Sequence, residues 1–234
     1  MRCRAHPALV FVSAGFTLIE MLVVLAIIGI ISLVVITSQS NFNKTLLLAN
    51  TAYDVALTIR SAETYGISSR VAGTSFNTGY GVHFERQSPN NTFTFFADSW
   101  PSPSSNPARC HPATDTGAPD AKPGNCVYDP QPNKDVLITT YTLGNGVTFG
   151  DLCVYTNSWS CATSHGSLLA SLDIVFIRPN PTPFMTGCTT GACSYDALVP
   201  VTQACLKLVS PQGGERFISV DSSGEIRATA ASCP

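Results

Sequence analysis

Residues 15–36 read Gly15-Phe16-Thr17-Leu18-Ile19-Glu20 followed by MLVVLAIIGIISLVVI, an apolar run to Ile36 with one charge in it, Glu20. At ~1.5 Å rise per residue, the 21 residues from Phe16 to Ile36 are long enough as a helix to cross a hydrocarbon layer of ~30 Å. An ordinary secretory signal has a shorter apolar core, ~7–15 residues, with a small-residue cleavage site after it. Here Thr37-Ser38-Gln39 follows, a poor site of that kind. Glu20 is the anomaly. A carboxylate in an apolar helix costs roughly 2.5–3.5 kcal/mol at mid-bilayer depth, and less near an edge, unless it has a partner. A plain anchor gives no reason for it.

A glycine, an aromatic residue, a Thr-Leu-Ile-Glu run and an unbroken apolar helix in this order resemble the type IV prepilin and pseudopilin signature. The resemblance implies that a membrane-embedded aspartyl prepilin peptidase cuts between Gly15 and Phe16 and methylates the new N-terminal Phe16. It also implies a role for the anomaly: the α-amino cation of Phe16 neutralises Glu20 of a neighbouring subunit in a low-dielectric filament core, which lowers the burial cost and sets the axial register. The leader departs from the family in one respect. Its basic residues, Arg2 and Arg4, lie far back, and Ala8 to Val12 is apolar.

Basic residues before the helix and their absence inside it predict a single-pass protein of the inner membrane, with a cytoplasmic N-terminus and everything after Ile36 exported. Nothing forces the helix to stop at the membrane surface: no proline occurs between Pro7 and Pro89, and Gly29 is the one glycine from Phe16 to Tyr65. The helix is expected to continue to about Gly66. Phe42, Leu46, Ala49, Tyr53, Ala56 and Ile59 recur at three- and four-residue steps and predict the stripe that packs on a sheet.

After Gly73 the pattern changes to about seven β-rich runs: 74–85, 92–97, 135–143, 147–155, 171–178, 198–210 and 216–227. Pro211-Gln212-Gly213-Gly214-Glu215 joins the last two as an antiparallel hairpin, since a glycine pair takes positive φ freely. Residues 99–134 hold eight prolines among Ser, Asn and Asp, and read as an inserted surface loop. The expected organisation is a leader at 1–15, a transmembrane helix at 16–36, its amphipathic continuation at 37–66 and a β-rich head at 67–234. The fold class is α+β, pilin-like, a long N-terminal helix on an antiparallel head. Helix register and strand order over Leu48 to Val71 and the C-terminal hairpin also resemble the type II secretion minor pseudopilin H and FimT-type minor pilin branch.

Nine cysteines occur, Cys3 in the leader and eight beyond the membrane, an even number that favours an oxidising compartment. Sequential pairing gives Cys110 with Cys126, Cys153 with Cys161, Cys188 with Cys193 and Cys205 with Cys233, one of ~105 connectivities open to eight cysteines. Each bridge would stabilise a loop-rich head by ~2–4 kcal/mol. Zinc is the competing account, with Cys110, His111, Cys188 and Cys193 as ligands, but no Cys-x-x-Cys pair or His-x-x-x-His helix is present. No metal or cofactor is expected.

His83, His111 and His165 have no matched nucleophile, and neither a Gly-x-Ser-x-Gly elbow nor a phosphate loop occurs, so no catalytic residue is named and an enzyme is not expected. Without residues 1–15 the chain carries 11 basic against 15 acidic side chains, net −4, which gives no electrostatic reason to bind nucleic acid. The expected partners are prepilin peptidase, other pilins or pseudopilins and the inner-membrane assembly platform. The expected role is a minor subunit of a type II secretion pseudopilus or type IV pilus. An anchored adhesin or ligand-binding tip subunit, using the long loop and Trp100, is the alternative.

Overall fold

The computed structural model describes residues 15–68, 70–72, 78–86, 90–100, 124–130, 132, 134–163, 169–189, 192–193 and 200–232, without the side chains of 37–44, 180, 192 and 193. Among the described residues one helix, α1 (Leu18–Ile67), precedes eleven strands, and the chain is α+β. It divides into two compact units, Met1–Asn43 and Lys44–Pro234, with the border inside α1.

In the first unit, Leu18–Ile36 has a mean hydropathy of 3.0 and none of it is buried against protein. Leu18 is 83% exposed and Ile36 67%. A helix that is apolar all round and covered by nothing needs an apolar surrounding.

In the second unit, α1 buries Leu48, Ala52, Val55, Ile59 and Ala62, at steps of four, three, four and three. This corrects the expected stripe, since Leu46 and Tyr53 are exposed, Ala49 is half-buried and Ala56 and Ile59 are buried, while the Phe42 side chain lies outside the described residues. Two apolar stripes compete here because Leu46-Leu47-Leu48 puts leucine on most of the circumference. The winning one is lined with Ala52, Ala62 and Gly66, small enough for close approach. At Gly66 a Cβ would stand 2.2 Å from the Phe176 carbonyl oxygen, so no other residue fits there.

Two antiparallel sheets complete the unit. The six-stranded sheet runs β3 (Val136–Thr142), β2 (Thr92–Asp98), β1 (Gly79–Glu85), β6 (Leu169–Ile177), β7 (Asn180–Thr189), β8 (Ala192–Cys193). The five-stranded sheet runs β11 (Ile226–Thr229), β10 (Glu215–Asp221), β9 (Gln203–Val209), β4 (Thr148–Tyr155), β5 (Trp159–Cys161). One core joins the helix stripe to Val82, Phe84, Ile174 and Phe176 of the first sheet and to Leu152, Leu206 and Ile218 of the second.

The hairpin β9–β10 turns as expected, with Gly213 at φ +88° and Gly214 at φ +105°. Eleven strands replace the expected seven. β7 was hidden by Pro181 and Pro183, yet it pairs with β6. The run 216–227 is two strands, because Asp221 to Glu225 makes a tight turn with Gly224 at φ +88°. Most of the Pro-rich loop, residues 101–123, lies outside the described residues.

Candidate functional site

The N-terminal motif has a defined local geometry. Gly15, Phe16 and Thr17 precede α1, and Phe16 is 79% exposed. The amide N–H of Glu20 donates to the Thr17 carbonyl (3.1 Å) and to Thr17 Oγ1 (3.3 Å), so Thr17 caps the helix. Thr17-Leu18-Ile19-Glu20 thus has the Thr-x-x-Glu spacing of a capping box, with a carboxylate in the first turn where the helix dipole favours it. That Thr-x-x-Glu spacing is itself a helix-start signal readable in the sequence, and it gives Thr17 a role as cap beside the charge of Glu20. Cut after Gly15, the chain would begin one residue before its own helix cap.

The cysteines sit where the sheets need ties. Cys153 and Cys161 face each other across β4 and β5 and are joined, their Cα atoms 4.1 Å apart. Cys205 stands opposite Cys153 on β9, and the three pack with Phe217 and Trp159. Cys126, Cys188 and Cys205 are also disulfide-bonded. Cys188 lies opposite Cys193 in the β7–β8 register. Cys110 and Cys233 lie outside the described residues, as do His111 and His165.

Sequence reasoning missed a group of buried carboxylates, Asp98, Asp135 and Asp173, all 0% exposed. Asp98 ends β2 and accepts the N–H groups of Asn125 (3.0 Å) and Cys126 (2.7 Å). The backbone curls round it with Gly124 at φ +112° and Cys126 at φ +64°. Asp135 accepts from the N–H groups of Ser99 and Trp100 (both 2.9 Å) and of Asp129 (2.7 Å). Between them the two carboxylates fasten both ends of the long loop to the sheet. Burial pushes the Asp135 carboxyl up to about 7, against the pull of those N–H groups. Burial, then the nearby Asp135, holds Asp98 well above the ordinary carboxylate range.

Asp173, on β6, accepts from His83 Nδ1 (2.8 Å) across the sheet and from the Tyr128 N–H (3.2 Å). Its Oδ2 is buried with no hydrogen-bond partner among the described residues. Burial pulls the His83 pKa down, but the Asp173 charge and hydrogen bond carry it above the usual value. A histidine so employed is a structural ion pair, and among the described residues no nucleophile is hydrogen-bonded to it. Among the described residues one grouping, Asp151 with Cys153 and Cys161, is compact enough for a metal. Its sulfurs are joined to each other, and Asp151 accepts from the Leu152 N–H and from both the N–H and Oγ1 of Thr163. Trp100, half-exposed, follows the loop's fastened end.

An exposed apolar helix, entered through a capped Thr-Leu-Ile-Glu motif and continued into an α+β body, is long and apolar enough to serve as an N-terminal membrane anchor. Residues 12–36 match the family described as the prokaryotic N-terminal methylation motif, which supports the type IV pilin and pseudopilin family for this chain. No curated protein and no solved structure matches it. Motif and helix together are consistent with membrane anchoring and with a processed structural subunit.

Proposed function

We propose that the chain is a minor pilin or pseudopilin, cut between Gly15 and Phe16, N-methylated at Phe16 and assembled into a filament through its N-terminal helix. The observation that carries this reading is the methylation motif at residues 12–36 on a helix whose apolar surface is exposed among the described residues. Before assembly, residues 16–36 lie in the inner membrane with the N-terminus cytoplasmic and the head outside. Residues 37–66 continue the helix, and 67–234 form the head.

In the filament those apolar faces are buried against other subunits' helices. The Glu20 carboxylate then leaves lipid only by meeting a cation, and the Phe16 amine of a neighbour is one that processing creates. The head carries paired cysteines, which suits an oxidising compartment. The partners are prepilin peptidase, other pilins or pseudopilins and the inner-membrane assembly platform. The minor pseudopilin H and FimT-type branch is the placement that helix register and the C-terminal hairpin favour. The role is structural, with no catalytic residue.

Intact mass and N-terminal sequencing of the protein from cell envelopes test the reading, in parallel with Gly15→Val. A mature chain beginning at methylated Phe16, and an uncut Gly15→Val chain, are expected. A native chain uncut, or cut beyond Ile36, would overturn it. Glu20→Gln should remain processed and membrane-bound yet fail to enter filaments.

A further inference from the structure

The two sheets have four edges, and three are protected in recognisable ways. β8 has two residues, β5 has three and is tied to β4 by the Cys153–Cys161 bridge, and β11 has four with Arg227 paired to Glu225. The fourth edge, β3, is different. Its seven residues, Val136-Leu137-Ile138-Thr139-Thr140-Tyr141-Thr142, carry no charge, proline or glycine, and all but the first are exposed. β3 pairs with β2 on one side and, among the described residues, ends the sheet on the other. A register shift opposite Phe95 and Phe96 bulges its first half, which leaves Thr139 to Thr142 in regular pairing with Thr92 to Phe95.

Beside this edge runs a groove of about 480 Å³ between β3 and the second-unit part of α1. Tyr141, stacked on Phe93 with ring centroids 5.1 Å apart, forms one wall. Leu47, Val55 and Asp54 of the helix line the other. Among the described residues no cation pairs with the Asp54 side chain, and Thr58 Oγ1 donates to its main-chain carbonyl and not to its carboxylate.

We infer that the β3 edge and this groove form a docking site for an extended strand of a partner protein, one with an apolar and a basic side chain at alternate positions. The open edge supplies main-chain hydrogen bonds, which any extended strand can make. Specificity comes from the groove. The period of two along a strand sends alternate side chains to the same face, so one enters the apolar space beside Tyr141 while the next on that face brings its cation to Asp54. The site uses no residue of 16–36 and does not depend on their processing.

The test uses the full chain in detergent micelles and a capped heptapeptide, Thr-Val-Thr-Leu-Thr-Lys-Thr, with hydrogen–deuterium exchange read at residues 136–142. Expected are at least a threefold slowing of exchange in β3 and its loss when the peptide's central leucine is replaced by proline. Asp54→Lys, an exposed substitution that leaves the helix stripe intact, should weaken the lysine peptide at least fivefold and favour its glutamate counterpart. No slowing with any peptide, or slowing indifferent to Asp54→Lys, would overturn the inference. Slowing that rises with protein concentration and needs no peptide would overturn it too, by assigning the edge to a second copy of the chain.

Discussion

The two sheets of the head solve one problem with different chemistry. In the five-stranded sheet, the Cys153–Cys161 bridge ties β5 to β4, and Cys205 lies beside them on β9. In the six-stranded sheet, Asp98 and Asp135 hold the long insertion by accepting backbone N–H groups. A disulfide acts mainly on the unfolded chain by restricting it, whatever the pH. A buried carboxylate acts on the folded state, and its worth depends on its charge. The same head therefore carries two kinds of fastening, disulfides that answer to reductant and buried carboxylates that answer to protons, and Cys126 and Cys188 bring the first kind to the carboxylate side as well.

The sharpest way to break the comparison is Asp135→Ala. It strands the N–H groups of Ser99, Trp100 and Asp129, and at about 1–3 kcal/mol for each buried donor left unpaired the loss should reach roughly 3–5 kcal/mol in urea denaturation.

Next comes pH. With its folded pKa near 7 and an ordinary unfolded value, Asp135 binds more proton when folded, so stability falls as pH rises from about 4 to 7, by up to ~1.4 kcal/mol per unit. Asp98 pushes in the same direction. Urea midpoints at pH 4.5, 6 and 7.5 check this, and a flat or rising profile would refute it.

Cys153→Ser with Cys161→Ser opens a short loop, worth about 2.5 kcal/mol by chain entropy, and should lower the midpoint equally at all three pH values.

The smallest effect is expected from His83→Gln, about 1 kcal/mol. The raised His83 pKa means its pair with Asp173 contributes below the unfolded value and fades as pH climbs through the folded one, so the variant should lose more at pH 6 than at pH 8. Equal losses would make His83 a packing residue only.

The carboxylate group was invisible in the sequence for a physical reason. Asp98, Asp135 and Asp173 are far apart along the chain, and a lone aspartate at the end of a strand or within one reads as solvent-facing. Only the fold shows that backbone donors converge on them. The cysteines, in contrast, announce themselves by count, and the apolar run to Ile36 by length. Leu46-Leu47-Leu48 admitted two stripes, and choosing between them needed the sheet's shape, which favours Ala52 and Ala62 over Tyr53. Pro181 and Pro183 concealed β7 because local propensity counts against a strand that tertiary pairing nevertheless completes. The Thr17 cap was legible by spacing alone.

The close seat of Gly66 on the Phe176 carbonyl bears on how the head carries load. Tension applied to α1 from its N-terminal side reaches the sheets through Leu48, Ala52, Val55, Ile59 and Ala62 and ends at this contact, where helix and β6 nearly touch. A pull along the helix axis strains these contacts together, in shear, and does not peel them one at a time. A side chain at position 66 would meet the Phe176 main chain, lift the end of the helix and turn that shear into peeling, so a Gly66→Ala head should lose resting stability and also rupture at lower force.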